Sequence, residues 1–330
     1  MRKKPHELQW LDVLDQRYLL TKGELETFQK LQRGYEGEVQ FDALVEYFFK
    51  EKQVSLDDIT LRYKNSVVQI DKLLIIGHTV YLIDMKHYRG HYVFKNNTWY
   101  VGDKVLTNNI FEQLRRAIRI LQNIFNDNQI HLSVKGVLAF TNFHSVIEVK
   151  DGVNEEVLMT EEIPAWLLRL SNGDTTARHK VSQVLRHYTI APYLTTRTFD
   201  IKNLGQLKSG ILCPHCHQAQ MQEHRFTMNC KCGYKEAKDI AYRRTICEFG
   251  TLFYNYNIKR AQLRIFFGKN LNERYLKFIL QKYFTLKDSH HAKAGYINKG
   301  VLFEYWFEKE MNTLEQLQKR TSWKETKTSH

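Results

Sequence analysis

Apolar positions recur along the first half of the chain with two periods. Phe41, Val45 and Phe48 fall at helical spacing within residues 35–50. Ile110, Leu114, Ala117, Ile118, Leu121 and Phe125 form one helical stripe within 109–125. Between these helices lie runs that read as strands: 59–63, Ser66–Ile76 and 79–87. A hairpin from 91–94 to 98–101 around Asn96-Asn97 follows, and after the second helix Gly136–Phe140 (G-V-L-A-F) reads as a buried strand. The order α-β-β-β-α-β predicts an α/β sandwich. Upstream, a helix from about Thr21 to Lys50 is expected, whole or broken at Gly34 and Gly37. Thr160–Leu170 and 175–188 read as further helices.

The polar residues set into the apolar strands carry the chemistry. Along the third strand, Val80, Leu82, Asp84 and Lys86 share one face. Gly77-His78 fits a two-residue hairpin turn with glycine first. In that register Ile76 faces Thr79, and Asp71 lies directly opposite Asp84. Opposed carboxylates repel and call for a cation or a raised pKa, and a divalent metal is the simplest answer. Glu38 lies on the same helical stripe as Phe41 and Val45. It reads either as a third acid of the site or as a first-turn acid favoured by the helix dipole.

These residues resemble a known family. Gly34-Tyr35-Glu36-Gly37-Glu38, Gln69-Ile70-Asp71, Ile83-Asp84-Met85-Lys86 and Tyr88-Arg89-Gly90 are similar to the NERD (nuclease-related) domain of the PD-(D/E)xK nuclease superfamily. The resemblance covers about residues 20–145 and extends to Asn109-Ile110-Phe111-Glu112-Gln113, where the family places a helical Gln. Asp84 stands where the family more often has Glu, and Ile110-Phe111 where a proline often precedes the Gln. The resemblance implies a restriction-endonuclease-like core and a catalytic set of Glu38, Asp71, Asp84, Lys86 and Gln113. Asp71 and Asp84, with the Met85 carbonyl and Glu38, would bind Mg2+ or Mn2+. Lys86 would position or deprotonate the attacking water and neutralise charge in the transition state.

Composition points to the partner. The chain of 330 residues has a formal net charge of +13, which favours an anionic partner, nucleic acid first and DNA as the expected form. Residues Ile240–His330 hold 17 Lys+Arg against 8 Asp+Glu, interleaved with aromatics. Leu271–Phe284 reads as a helix with Tyr275, Phe278 and Ile279 on one stripe. With Ile258–Phe267 and the turn at 268–270 it suggests a helix-turn-helix-like pair, a pattern that also serves plain packing. Arg115, Arg116 and Arg119 read as a solvated face or a phosphate clamp on the side of their helix away from Gln113. The basic start is followed by no apolar run of signal-peptide length, and no stretch is long and apolar enough to span a membrane. A cytoplasmic protein is expected.

All five cysteines lie between 213 and 247. Cys213-Pro214-His215-Cys216 and Cys230-Lys231-Cys232-Gly233 form two short knuckles with the spacing of a zinc ribbon. Because the second is a tight C-x-C, His215, His217 or His224 could replace a cysteine ligand. Four protein ligands make such a Zn2+ structural, and Cys247 falls outside the set. The expected organisation is a nuclease domain with an N-terminal arm (1–145), a helical bridge (146–205), a zinc-ribbon-like module (206–239) and a basic helical nucleic-acid-binding region (240–330). The function expected is metal-dependent cleavage of nucleic acid. The alternatives are a non-catalytic nucleic-acid-binding protein on the same fold and a zinc-dependent regulator of protein partners. Cutting both strands of a duplex usually needs two sites, which a homodimer could supply.

Overall fold

The computed structural model describes residues 2–50, 54–217, 221–287 and 295–310. Its elements begin α1 (His6–Arg17), α2 (Lys22–Phe49), β1 (Ser55–Tyr63), β2 (Ser66–Ile76), β3 (Thr79–Lys86), β4 (Gly90–Lys95), β5 (Thr98–Val101), β6 (Lys104–Val105) and α3 (Ile110–Asp127). There follow β7 (Ser133–Phe140), β8 (Ser145–Val149), β9 (Glu156–Leu158), α4 (Ile163–Leu170) and α5 (Ala177–Arg186). The chain continues through β10 (Gln222–Glu223), β11 (Thr227–Asn229), β12 (Lys235–Ala237), α6 (Lys238–Leu252), α7 (Arg260–Phe267) and α8 (Glu273–Tyr283). Two compact units result: Arg2 with Lys30–Tyr193, and Lys3–Gln29 with the chain from Leu194 on. No helix among the described residues is long and apolar enough to cross a membrane.

In the first unit the main sheet has the order β1-β2-β3-β7-β9. β1, β2 and β3 pair antiparallel, and β7 lies parallel to β3 and to β9. The parallel β3–β7 step needs a crossover, which α3 supplies. A smaller sheet, β6-β5-β4-β8, carries Phe94 and Trp99 into the same core as α3. Phe111, Leu114, Leu121 and Phe125 of α3 pack there on Leu73, Ile75, Val80 and Leu82. Phe41, Val45 and Phe49 of α2 cover the other side of the sheet, against Leu74, Ile76, Ile83 and Met85. The mixed α/β class and the α-β-β-β-α-β order read from the sequence are those of this unit.

One open alternative is resolved, and two features depart from the sequence expectation. First, α2 is one unbroken helix, the first of the two alternatives. Gly37 serves approach rather than interruption: a Cβ there would lie 2.4 Å from Thr141 Oγ1 and 2.5 Å from His87 Nδ1. The helix thus crosses close over the ends of β3 and β7, which carries Glu38 toward the strand ends. Second, residues 146–193 complete the first unit instead of bridging. β9 extends its sheet, α4 adds Ile163, Trp166 and Leu167 to the α2 side, and α5 adds Val181 and Leu185 to the α3 side. Third, residues 3–29 group with the second unit, where Trp10 Nε1 donates to the Leu252 carbonyl at 3.2 Å.

The second unit is built on α6, which is buried along nearly its whole length. A three-stranded sheet, β10-β11-β12, runs directly into it, because Ala237 ends β12 and caps α6. Within α6, Glu248 accepts from Arg17 Nε at 3.1 Å and Arg244 Nη1 at 2.6 Å, and Arg244 also pairs with Glu236. The buried face of α8 is Leu276, Ile279 and Leu280; Phe278, placed on the stripe from sequence, is 48% exposed. α7 and α8 each pack on α6. Most aromatics of this segment, among them Phe249, Phe253, Phe266, Phe267 and Phe284, are core.

Candidate active site

The β2–β3 hairpin turns at Gly77, whose φ of +56° favours glycine, and pairs Ile76 with Thr79. The ladder holds that register down to Lys72 and Ile83. Beyond this pair Asp71 replaces the ladder: its Oδ2 accepts the Met85 N–H at 2.9 Å. The inside–outside alternation of β2 also shifts here. Ile70 and Leu73 both enter the α3-side core, although positions three apart on a regular strand face opposite sides. On β1 the matching irregularity is Asp58, at a φ of +47°. The sheet is therefore disturbed where the acids emerge.

Asp71, Asp84 and Lys86 line one cleft of about 340 Å3, whose α3 wall includes Gln113 and Arg116. Lys86 Nζ is ion-paired with Asp84, and both side chains are largely shielded, at 17% and 15% exposure. Burial, and then the facing Asp84 charge, push the Asp71 carboxyl up to about 7, against the pull of Lys86. Burial disfavours the Lys86 charge, but Asp84 and Asp71 more than offset it and hold the ammonium above the usual lysine range. Tyr88 continues the row, half-buried and stacked on Tyr92 with ring centroids 5.0 Å apart. Two carboxylates facing each other, one resisting ionisation, are a donor set that fits a hard divalent cation.

Of the five residues expected to be catalytic, the cleft gathers Asp71, Asp84, Lys86 and Gln113. Glu38 stands apart. Its Oε2 accepts from Arg2 Nη1 at 3.0 Å, and among the described residues no set of three acids comes within metal-binding distance. Glu38 belongs to a second cluster, with Asp42 one helical turn on; Asp42 pairs with Arg2 at 2.8 Å and with Lys72 at 2.8 Å. Sequence reasoning missed Arg2, Asp42 and Lys72, and put Arg116 on the side of its helix away from Gln113. The four-residue spacing of Glu38 and Asp42 was the available signal for Asp42, and the three-residue spacing of Gln113 and Arg116 for Arg116. Arg116 shares the cleft wall with Gln113 rather than facing away, whereas Arg115 is held by Glu155 at 2.7 Å.

The opposed acids make a prediction for metal-free protein. Above a pH of roughly 4 the unfolded chain has lost the Asp71 proton, while the folded chain keeps it to about 7. Raising the pH through that window should lower stability by up to ~1.4 kcal/mol per unit. Asp71→Asn keeps the acceptor for the Met85 N–H and removes the repulsion from Asp84, so it should flatten the profile and raise the melting temperature at pH 7.5. Thermal melts in chelator from pH 5 to 8 check this. An unchanged profile in the variant would show that Asp71 feels no such repulsion.

In the second unit the Sγ atoms of Cys213, Cys216, Cys230 and Cys232 all lie within 4.8 Å of one another. Cys213–Cys232 and Cys216–Cys230 are both 3.7 Å apart, and none forms a disulfide. Four sulfurs about 2.3 Å from a tetrahedral zinc would be about 3.8 Å apart, so the cluster has the dimensions of a structural metal site. His215 Nδ1 lies 3.9 Å from Cys232 Sγ, with its ring stacked on Tyr234, outside the group of four. Cys247 is buried elsewhere in α6.

No curated protein and no solved structure matches this chain. Residues 33–141, from α2 just before Glu38 to just past the end of β7, match the family model of the nuclease-related domain, NERD.

Proposed function

We propose that the first unit is a divalent-metal-dependent nuclease that hydrolyses phosphodiester bonds of nucleic acid, with DNA as the expected substrate. The observation that carries this reading is the convergence of Asp71, Asp84 and Lys86 on one cleft. Asp71 and Asp84, with the Met85 carbonyl, would hold Mg2+ or Mn2+. Such an ion supplies Lewis acidity toward a phosphate oxygen and an acidified water. Lys86 is the chain's own cation at the reacting phosphate. It would position or deprotonate the attacking water and neutralise charge on the transition state. Gln113 and Arg116 offer an amide and a guanidinium to position the substrate from the α3 wall. The second unit, with Zn2+ as the structural ion of its ribbon-like module and its basic chain from 240 on, would hold the nucleic acid.

The test is cleavage of plasmid and linear DNA in Mg2+ or Mn2+ by wild type and Asp84→Ala. Wild type should cut only with the metal, and the variant should not cut. DNA bound yet left whole by wild type with every divalent ion would instead identify a nucleic-acid-binding protein on a nuclease fold.

A further inference from the structure

Arg2 is the most heavily committed side chain near the cleft. It is 2% exposed. Its Nε and Nη2 grip Asp42 at 2.8 and 3.2 Å, Nη1 donates to Glu38 at 3.0 Å, and Nη2 donates to the Asp71 carbonyl at 3.1 Å. The planar fork thus ties two acids of α2 to the backbone of the residue whose carboxylate enters the cleft. Ion pairing links Arg2 to Glu38 and Asp42, Lys72 to Asp42 and Asp57, and Lys86 to Asp84. With Asp71, with Asp58 whose charge bears on Glu38, and with Arg116 of the cleft wall added, six carboxylates stand against four cations, which leaves the charge of one divalent ion. Glu38 Oε2 is already taken by a guanidinium, and Glu38 is not gathered with Asp71 and Asp84.

Resting on the reading of Asp71 and Asp84 as the ligand pair, we propose that Arg2 is a positioning residue that holds Glu38 out of the ligand set and stands in for a second metal ion. The cleft then takes a single divalent cation. Removing the guanidinium leaves Glu38 and Asp42 as an undercompensated acid pair beside the first site, and this pair recruits a second ion. Lysine at position 2 keeps the charge and loses the fork, so it preserves the single-ion state.

The experiment is Mn2+ titration of full-length, zinc-loaded protein, read by the electron paramagnetic resonance signal of the free ion. The Asp71→Asn/Asp84→Asn double variant gives the background. Wild type and Arg2→Lys should bind one ion above it, and Arg2→Met two. Arg2→Met/Glu38→Gln removes one cation and one acid together, so the net charge is unchanged and Asp42 keeps its pairing with Lys72. It should return to one ion, with affinity within about 100-fold of wild type, the range for losing a partner outside the ligand set. This variant decides the matter even if Arg2→Met alone fails to fold: an affinity loss above about 100-fold would make Glu38 a ligand and overturn the inference. Two ions in wild type, or one in folded Arg2→Met, would also overturn it. No ion above background in wild type has a different meaning: it removes the Asp71–Asp84 site itself, and the inference with it.

Discussion

Lys86→Ala should slow metal-dependent cleavage by roughly 100- to 1000-fold, the usual effect of removing one preorganised donor from a developing oxyanion. DNA affinity should stay within a few-fold, because binding draws on charges spread over the basic chain and only the transition state concentrates charge at Lys86. The structure sharpens this expectation. The ammonium is shielded and ion-paired with Asp84, so it is not a solvated lysine at a fraying strand end. Its loss also leaves Asp84 facing Asp71 without a counterion, and metal-free Lys86→Ala should melt below wild type at neutral pH. Single-turnover cleavage at saturating protein, alongside a binding isotherm in Ca2+, separates the two effects. Cleavage at the wild-type rate would remove Lys86, and the proposed chemistry with it.

Cys216→Ser should lower zinc affinity by more than ~100-fold and reduce the metal content of purified protein from about one zinc per chain. The module's own sheet is small. β10 and β12 are two and three residues long, and burial pushes the Cys213 thiol up to about 12, so a bound metal is what would hold it as a thiolate. Because β12 runs into α6, losing the metal should also loosen the start of that helix and lower the melting temperature of the unit. Elemental analysis and melts with and without chelator measure both effects. Full metal content in Cys216→Ser would mean that a histidine, with His215 the nearest to the cluster, serves in its place.

The parts of the fold legible in sequence were those set by local rules. A glycine turn fixed the β2–β3 register from Ile76–Thr79 to Lys72–Ile83, one pair short of the expected Asp71–Asp84 pairing, and the two acids share the cleft beyond the end of that ladder. Helical and strand periods placed α3 and β7, and cysteine spacing placed the cluster. What could not be read arises from contacts distant in sequence. Arg2 meets Glu38 and Asp42 across about forty residues of chain, and no pattern marks that meeting. Gly37 leaves the helix whole or broken on sequence alone, and its role shows only when Thr141 and His87 are seen against it. The aromatic stripe assigned to α8 missed by one position, since Leu276 and Leu280 flank Ile279 on the buried side and Phe278 does not.

The Asp71 carboxylate accepts the Met85 N–H at the point where the β2–β3 ladder stops. Asparagine offers the same acceptor. A lineage of this chain could therefore exchange one atom at position 71, lose the proposed chemistry, and retain its fold with greater stability. Folding asks this position for an acceptor; only a bound cation asks it for a charge. An acid kept at position 71 among relatives would then mark those still under selection to cut, and an amide there those that have become binding proteins.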